Sequence, residues 1–383
     1  MNDYHKHEYL GLNSDFNLSD SHAHHFPNKR QKRIIESLPL IWKQTSKKSQ
    51  KEIEDDFLPI YYRAKKQESG LKHNTSLLTY SALTSLAIMA DYLQKNKISV
   101  SLLQPTFYKL HNVLINSGVQ VHGFDESILL DTDNLEKNLK TLKGKAIFLV
   151  DVNNPTGQSF YGLGKAWYEK LIQFAKKNNK ILIFDFCFNW FDPARFDVKK
   201  RFDMYKLLDS SGVDYMAMED YEKIFPLEET KVSIIKTSQS LFQDIYKIQS
   251  GYLLNTSPFT LLLASKFLED FYTNDGINEV YELVDKNKAL LAKILLKHPS
   301  LKIRPSNSKA SVAWIEILTS KINSDELMLF LEENDLFVVS GTHYFFKEKD
   351  KGKKLFRVAC MRDEKKFAKA MKKFDALLGE FDL

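Results

Sequence analysis

The stretch Ala146-Ile147-Phe148-Leu149-Val150-Asp151-Val152-Asn153-Asn154-Pro155-Thr156-Gly157 decides how the chain is read. Five consecutive apolar residues predict a strand buried on both faces. A polar turn carrying Pro and Gly ends it. In an α/β sheet, ligands bind outside the carboxyl ends of the strands, so this turn is a candidate binding loop. Asn154, held by Pro-Thr-Gly, would present a fixed amide donor there. An ordinary strand-ending turn has the same composition, so the loop needs company to carry function.

Working outward, the same pattern recurs. Short apolar runs at 77–79, 99–103, 119–122, 146–152, 181–185 and 232–236 are predicted strands. Segments of helical spacing at 82–92, 108–115 and 165–175 fall between the first five. Strand–helix–strand alternation predicts an α/β architecture, a mostly parallel sheet covered by helices on both faces. Two long helical stretches follow Pro258, at 259–272 and 277–296. The rest changes character: 311–318, 336–339 and 355–361 read as strands, and 325–333 and 363–378 as helices. This is a smaller α+β unit. The expected division is a large domain over 56–285 and a small domain over 286–383, joined by the N-terminal segment 1–55. The charge run Lys347 to Lys354 reads as a solvated hairpin loop.

Composition narrows the class. The 383 residues are 43% hydrophobic and 27% charged, enough for a sizeable core, and the net charge of +6 is too small to imply nucleic acid. The two cysteines, Cys187 and Cys360, sit in apolar runs and read as buried thiols. The N-terminus lacks a signal pattern, and the most apolar stretch, 77–93, is interrupted by Thr, Ser and Asp91. A cytoplasmic protein without membrane contact is expected. His22, His24 and His25 alternate without a matching acid cluster, so no metal site is expected and a solvated loop is the reading.

Two further residues join Asn154. Asp185 ends the apolar run Ile181-Leu182-Ile183-Phe184 and is followed by Phe186, Cys187 and Phe188. An acid so poorly hydrated needs a cationic partner to stay ionised. Arg357, inside Leu355-Phe356-Arg357-Val358-Ala359-Cys360, is suited to clamp a carboxylate in bidentate fashion. A structural ion pair is the alternative for each.

In this order and spacing the three resemble the fold-type I pyridoxal-phosphate enzymes, specifically the class I/II aminotransferases, and the resemblance covers nearly the whole chain. Gln104-Pro105-Thr106-Phe107-Tyr108 is similar to the family's Pro-Thr-Tyr turn, whose aromatic stacks on the cofactor. Thr79-Tyr80-Ser81-Ala82 is similar to its phosphate-binding turn ahead of a helix. Ser340-Gly341-Thr342 is similar to its small-domain turn. The resemblance implies pyridoxal 5′-phosphate (PLP) as cofactor, with Asn154 at its phenolic oxygen, Asp185 at its pyridine nitrogen, Phe107 on its ring, and Ser81 and Ala82 at its phosphate. Arg357, with Asn154, would bind the substrate carboxylate. The family's N-terminal segment passes over the mouth of the site, so the resemblance also allows one of His22, His24 and His25 to touch substrate.

The family also needs a lysine that forms a Schiff base with the cofactor and moves a proton at the substrate's α-carbon. Two registers compete. Ser238-Gln239-Ser240-Leu241, with Gly251-Tyr252 downstream, mimics the family's motif but puts Leu241 at the lysine position. Glu219-Asp220-Tyr221-Glu222-Lys223, with Lys231 as phosphate cation and then Ser233, supplies a lysine. Lys223 follows Asp185 by 38 residues and Leu241 by 56, and the shorter separation is the family's. The expected lysine is Lys223, its pKa lowered by burial and by Lys231. The chain departs from the family in three places. Phe188 stands for a tyrosine, Asp220-Tyr221-Glu222 for hydroxyl residues, and Lys231 for an arginine. The acid-rich lead-in resembles members of specialised biosynthesis. The implied function is a homodimeric aminotransferase acting on a free amino acid. The alternatives are a degenerate non-catalytic protein, or another PLP reaction (decarboxylation, elimination, oxidation).

Overall fold

The computed structural model describes residues 3–227 and 230–381. Strands β1 (Ser76–Thr79), β2 (Val100–Gln104), β3 (Val121–Asp125), β4 (Ala146–Val150), β5 (Ile181–Asp185), β6 (Tyr215–Asp220) and β7 (Ser233–Thr237) form one seven-stranded sheet in the order β1-β7-β6-β5-β4-β2-β3. From β3 to β6 the neighbours are parallel, while β7 runs antiparallel to both β6 and β1. Every residue of β2, β4, β5, β6 and β7 is buried, as expected of a sheet packed between helices. The mixed, mostly parallel sheet agrees with the architecture expected from the sequence.

One strand of this sheet lies outside the expected set. β6 reads Tyr-Met-Ala-Met-Glu-Asp, without a β-branched residue and ending on two acids, so its composition gives no strand signal. Central burial between β5 and β7 overrides propensity there. Its end delivers Asp220 and, three residues on, Lys223.

A second sheet contains β8 (Leu301–Ile303), β9 (Val312–Ile317), β10 (Val339–Ser340) and β11 (Leu355–Ala359), antiparallel in the order β10-β11-β9-β8. Helix Glu364–Glu380 buries Phe367, Ala370, Met371, Phe374, Leu377 and Leu378, the stripe expected of a surface helix. The expected strand 336–339 is only two residues long, because Phe337 instead pairs with Asn17. The N-terminal strand-like segment is stitched in further by Leu18 N–H to Phe337 O and Ala359 N–H to Leu18 O, both 2.8 Å.

The N-terminal segment divides between the two bodies. Leu18 belongs to the core of the smaller one. Ile41 and Ile53 belong to the core of the larger, where α2 (Lys29–Glu36), α3 (Leu38–Gln44) and α4 (Gln50–Ala64) pack on helix Pro258–Thr273. The placement of all of 1–55 with the small domain therefore fails for these helices, whose apolar stripes face the large core. Helix α4 starts on a Ser49/Glu52 capping box, which satisfies two otherwise unpaired backbone N–H groups.

The 347–354 run is more than a solvated loop. A Cβ on Gly352 would meet the Gly341 backbone at 2.3 Å, so the turn is folded tightly against it. Lys351 reaches Asp125 of the large sheet at 3.3 Å. No helix among the described residues is long and apolar enough to cross a membrane.

Candidate active site

The loop that opened the sequence reading is held by its own acid. Asp151, fully buried, accepts from the N–H groups of Phe160 and Tyr161 and from the Ser159 hydroxyl, all at 2.9 Å, and from the Tyr168 hydroxyl. Burial, aided by Asp192, pushes its carboxyl up to about 6. Gly157 closes the turn at φ +72°, where an L side chain is strained, and its N–H bonds to Asn153 O at 2.8 Å. Asn154 is thereby fixed just beyond the end of β4. Its Oδ1 accepts from Arg357 Nη1 at 2.9 Å, and no other side-chain hydrogen bond holds it among the described residues.

Asp185 ends β5, next to β4 in the sheet. Its Oδ1 accepts the Cys187 N–H at 2.9 Å. Burial raises its pKa against the pull of Cys187, Lys223 and Lys65. The carboxylate is desolvated and would be stabilised by a cationic N–H. On the next strand, burial and then Glu222 push Asp220 up to about 7.

One cavity of ≈ 380 Å³ gathers most of the expected residues: Asn154, Asp185, Lys223, Phe107, Lys231, and Ser81 with Ala82 at the start of α5 (Ala82–Lys95). Ligand pockets begin at about this volume. Ser81 caps α5 by accepting the Thr84 N–H at 3.2 Å, and the helix start offers further N–H groups to an anion. Lys231 is 41% exposed and lies 3.8 Å from Glu222. Arg357 does not line the cavity. It is buried in β11 and reaches the cavity through Asn154, while Nη2 donates to Ser19 O. Leu241, the competing position for the lysine, is buried in helix Gln239–Tyr252, away from these residues.

The electrostatics of Lys223 reverse the expectation. Its Nζ stands 5.8 Å from the Phe188 ring centroid. Burial lowers its pKa, as expected, but the carboxylates of Asp220, Glu222 and Asp20 outweigh burial and the net shift is upward. Lys231 is already engaged with Glu222, so it contributes little.

Beyond the substrate contact that the resemblance allows one of the histidines, sequence reasoning missed the residues of the cavity mouth. Glu8, Asp20, Ser21 and His22 all line it, brought there by the N-terminal segment. His22 is not in a solvated loop: Nδ1 lies 2.6 Å from Asp20 Oδ1 and Nε2 3.2 Å from Glu222 Oε2. Burial and Lys223 lower its pKa, Asp20 and Glu222 raise it, and the acids prevail. Arg362 fixes this segment by bonding Asn17 O, His22 O and Asp20 O. The residues of a polar, His-rich N-terminus do not by themselves say which of them reaches the cavity, because the anchoring arginine is more than 300 residues away.

The donor set fits PLP on the chemistry present. A desolvated carboxylate, an amide, an aromatic ring, a helix N-terminus and a buried lysine converge on one cavity. Comparison with known proteins agrees. The family model described as "Aminotransferase class I and II" matches residues 19–374. A histidinol-phosphate aminotransferase of Thermoanaerobacter pseudethanolicus is 22% identical over 224 residues, 58% of this chain and 57% of that enzyme, so the match spans little over half of the relative. Among solved structures, MppP soaked with the product 2-ketoarginine superposes with a TM-score of 0.85 at 22% identity, over 94% of this chain and 99% of that one. A PLP-dependent aminotransferase from Streptococcus suis gives 0.70 at 14% identity, over 99% and 96%. At these identities the structural matches speak for the fold. The family match supplies the rest: the chain belongs to the class I and II aminotransferases, and its cofactor is pyridoxal 5′-phosphate.

Proposed function

We propose that the protein removes the α-amino group of a free amino acid by transamination, leaving a 2-oxo acid, and that the amino acid carries a cationic side chain. The observation that carries this is the single cavity in which Lys223, Asp185, Asn154 and Phe107 meet the start of α5 and Lys231. Bound PLP supplies an electrophilic carbonyl and a ring that accepts the electron pair released at the substrate's α-carbon. Lys223 is the group that would hold the cofactor through that carbonyl carbon and would move the α-proton. Asp185 would keep the pyridine nitrogen protonated, Asn154 would donate to the phenolic oxygen, and Phe107 would cover the ring. The start of α5, with Lys231, binds the phosphate. Arg357 takes the substrate carboxylate from the small-domain side, with Asn154 between it and the cofactor.

The side-chain preference rests on charge. Glu8, Asp20, Asp220 and Glu222 line the cavity, and one oxygen each of Asp220 and Glu222 is buried without a hydrogen-bond partner in the described structure. Buried orphan carboxylate oxygens cost free energy until a donor arrives. A guanidinium or ammonium supplies one. The 2-ketoarginine soaked into MppP carries such a group.

We also propose that the active form is a homodimer. Tyr80, Leu83, Tyr252 and Leu254 are exposed beside the start of α5, which supports a partner copy there.

The test is direct. Holoprotein is treated with borohydride and the labelled peptide identified, in wild type and Lys223→Ala. Amino donors (arginine, ornithine, lysine, glutamate, leucine) are then screened with a 2-oxo acid acceptor, by product mass. Label in the wild type that is lost in Lys223→Ala, with oxo acids from the cationic donors, is expected. A chain that never takes up PLP refutes the catalytic reading. Label that survives in Lys223→Ala refutes the lysine, and a different product mass, or the same oxo acid formed without the acceptor, refutes transamination.

A further inference from the structure

We propose that Glu126 is a positioning residue for the cofactor site, its carboxylate clamping the Asn154 loop to the turn that carries Phe107. The inference rests on the reading above, in which Asn154 and Phe107 face the cofactor. Glu126 follows β3 directly and is buried. Its Oε1 accepts from Asn153 Nδ2 at 2.6 Å and from Thr156 Oγ1 at 2.8 Å, the residues that bracket Asn154-Pro155. Asn153 Nδ2 also donates to Pro105 O at 3.0 Å, and Glu126 N–H donates to Gln104 O at 2.9 Å. Glu126 thus ties together the carboxyl ends of β2, β3 and β4, its carboxylate holding the Asn154 loop while its backbone N–H holds Gln104 and the Asn153 amide it orients holds Pro105. Two of those ends carry the residues that would hold opposite features of the cofactor ring.

Glu126 does not touch the cofactor cavity. It lines a separate cleft of ≈ 510 Å³ between the two domains, with Arg304, Trp314 and Lys351. Its effect on the site passes entirely through the loop and the turn. Burial pushes the carboxyl up to about 7, against the pull of Asn153 and Thr156. Other charges face it from each packed element. Asp125 beside it raises the value and Arg304, after β8, lowers it. Lys351 pairs with Asp125, and Glu348 takes the Gln104 amide at 3.1 Å. Hydrogen bonds to an ionised acceptor are shorter and roughly twice as strong as neutral ones. The clamp therefore tightens as pH rises through about 7, and the cofactor site tightens with it.

The test titrates the full chain, stripped of cofactor, with PLP from pH 6 to 8.5, following its absorbance. PLP has its own titrations, so the informative quantity is the difference between proteins. Glu126→Gln keeps an acceptor oxygen without the charge. Relative to it, wild-type affinity should gain roughly threefold to tenfold across the range. Thr156→Val removes a donor that favours the ionised form and should move the midpoint of that gain to higher pH. Glu126→Ala should bind PLP more weakly at every pH, by about tenfold at the alkaline end where the clamp is ionised and by less at the acid end. Parallel profiles for wild type and Glu126→Gln, or an unmoved midpoint in Thr156→Val, overturn the proposal. If Glu126→Ala does not fold, the other two variants decide. A wild type that takes up PLP with no such difference defeats only this inference, whereas one that never takes up PLP defeats the site reading as well.

Discussion

Lys65, at the end of α4, and Glu219, in β6, form an ion pair whose side chains are 0% and 1% exposed. Tyr61 donates to the same carboxylate at 2.9 Å, and Tyr205 also donates to it. Lys65→Met removes the ammonium and leaves the carboxylate buried. Breaking such a pair on one side costs about 3–5 kcal/mol. The two tyrosine donors remain, so the lower end, about 3 kcal/mol, is expected. Lys65→Met/Glu219→Gln removes both charges and lets a neutral amide keep one tyrosine bond, which should recover about 2 kcal/mol of the loss. Urea unfolding of wild type, both single variants and the double variant gives the coupling energy directly. The pair also bears on the site. Lys65 Nζ bonds Phe186 O at 3.3 Å and its charge lowers the Asp185 pKa. Lys65→Met should therefore weaken the ionised state of Asp185 and reduce PLP affinity. A single-variant cost below about 1 kcal/mol, or a double variant no more stable than Lys65→Met, would refute the reasoning.

Three other outcomes follow from particular residues. His25 titrates at about 4 in the fold, because burial and His24 disfavour its cation. Since the unfolded chain binds the proton near 6.5, stability should fall as pH drops from about 6.5 to 4. His25→Phe should make that fall shallower by up to ~2 kcal/mol, read by urea unfolding at both ends of the window. Gly157→Ala forces a side chain onto φ +72° with its Cβ 3.0 Å from Ser306 Cβ, and should cost about 1–2 kcal/mol while weakening PLP binding. Arg357→Lys keeps the charge but loses the fork that reaches both Asn154 Oδ1 and Ser19 O. Steady-state kinetics should show KM for the amino acid rising about tenfold or more, with kcat changed less.

The large sheet was legible where apolar runs are long and end on turn residues, as at Ala146–Val150 and Ile181–Asp185. It was illegible at β6, where burial on both sides of the strand does the work that β-branched residues do elsewhere. The division of the N-terminal segment was illegible for a related reason. Helices α2 to α4 have ordinary amphipathic patterns, and pattern alone says that a stripe is buried without saying against which core. Site residues at strand ends stood out because an acid or amide there interrupts an apolar run. Asp20 and His22 interrupt nothing, and only the fold carries them to the cavity.

The reversed shift of Lys223 links these missed residues to the chemistry. A lysine that must lose its proton to bond a carbonyl sits among Asp220, Glu222 and Asp20, which hold the proton on. Asp20 and Glu222 are themselves kept ionised by His22, whose charge they favour in return. On the proposed reading, a cationic side chain that pairs with these acids cancels part of their field at Lys223. Less field means a lower lysine pKa, since the stabilising charges are then shared. A cationic substrate would thus favour the unprotonated Lys223 that moves the α-proton, and a neutral amino acid of the same length would favour it less. The acids that defied the family pattern become, on this account, the means by which a cationic substrate prepares the base that acts on it.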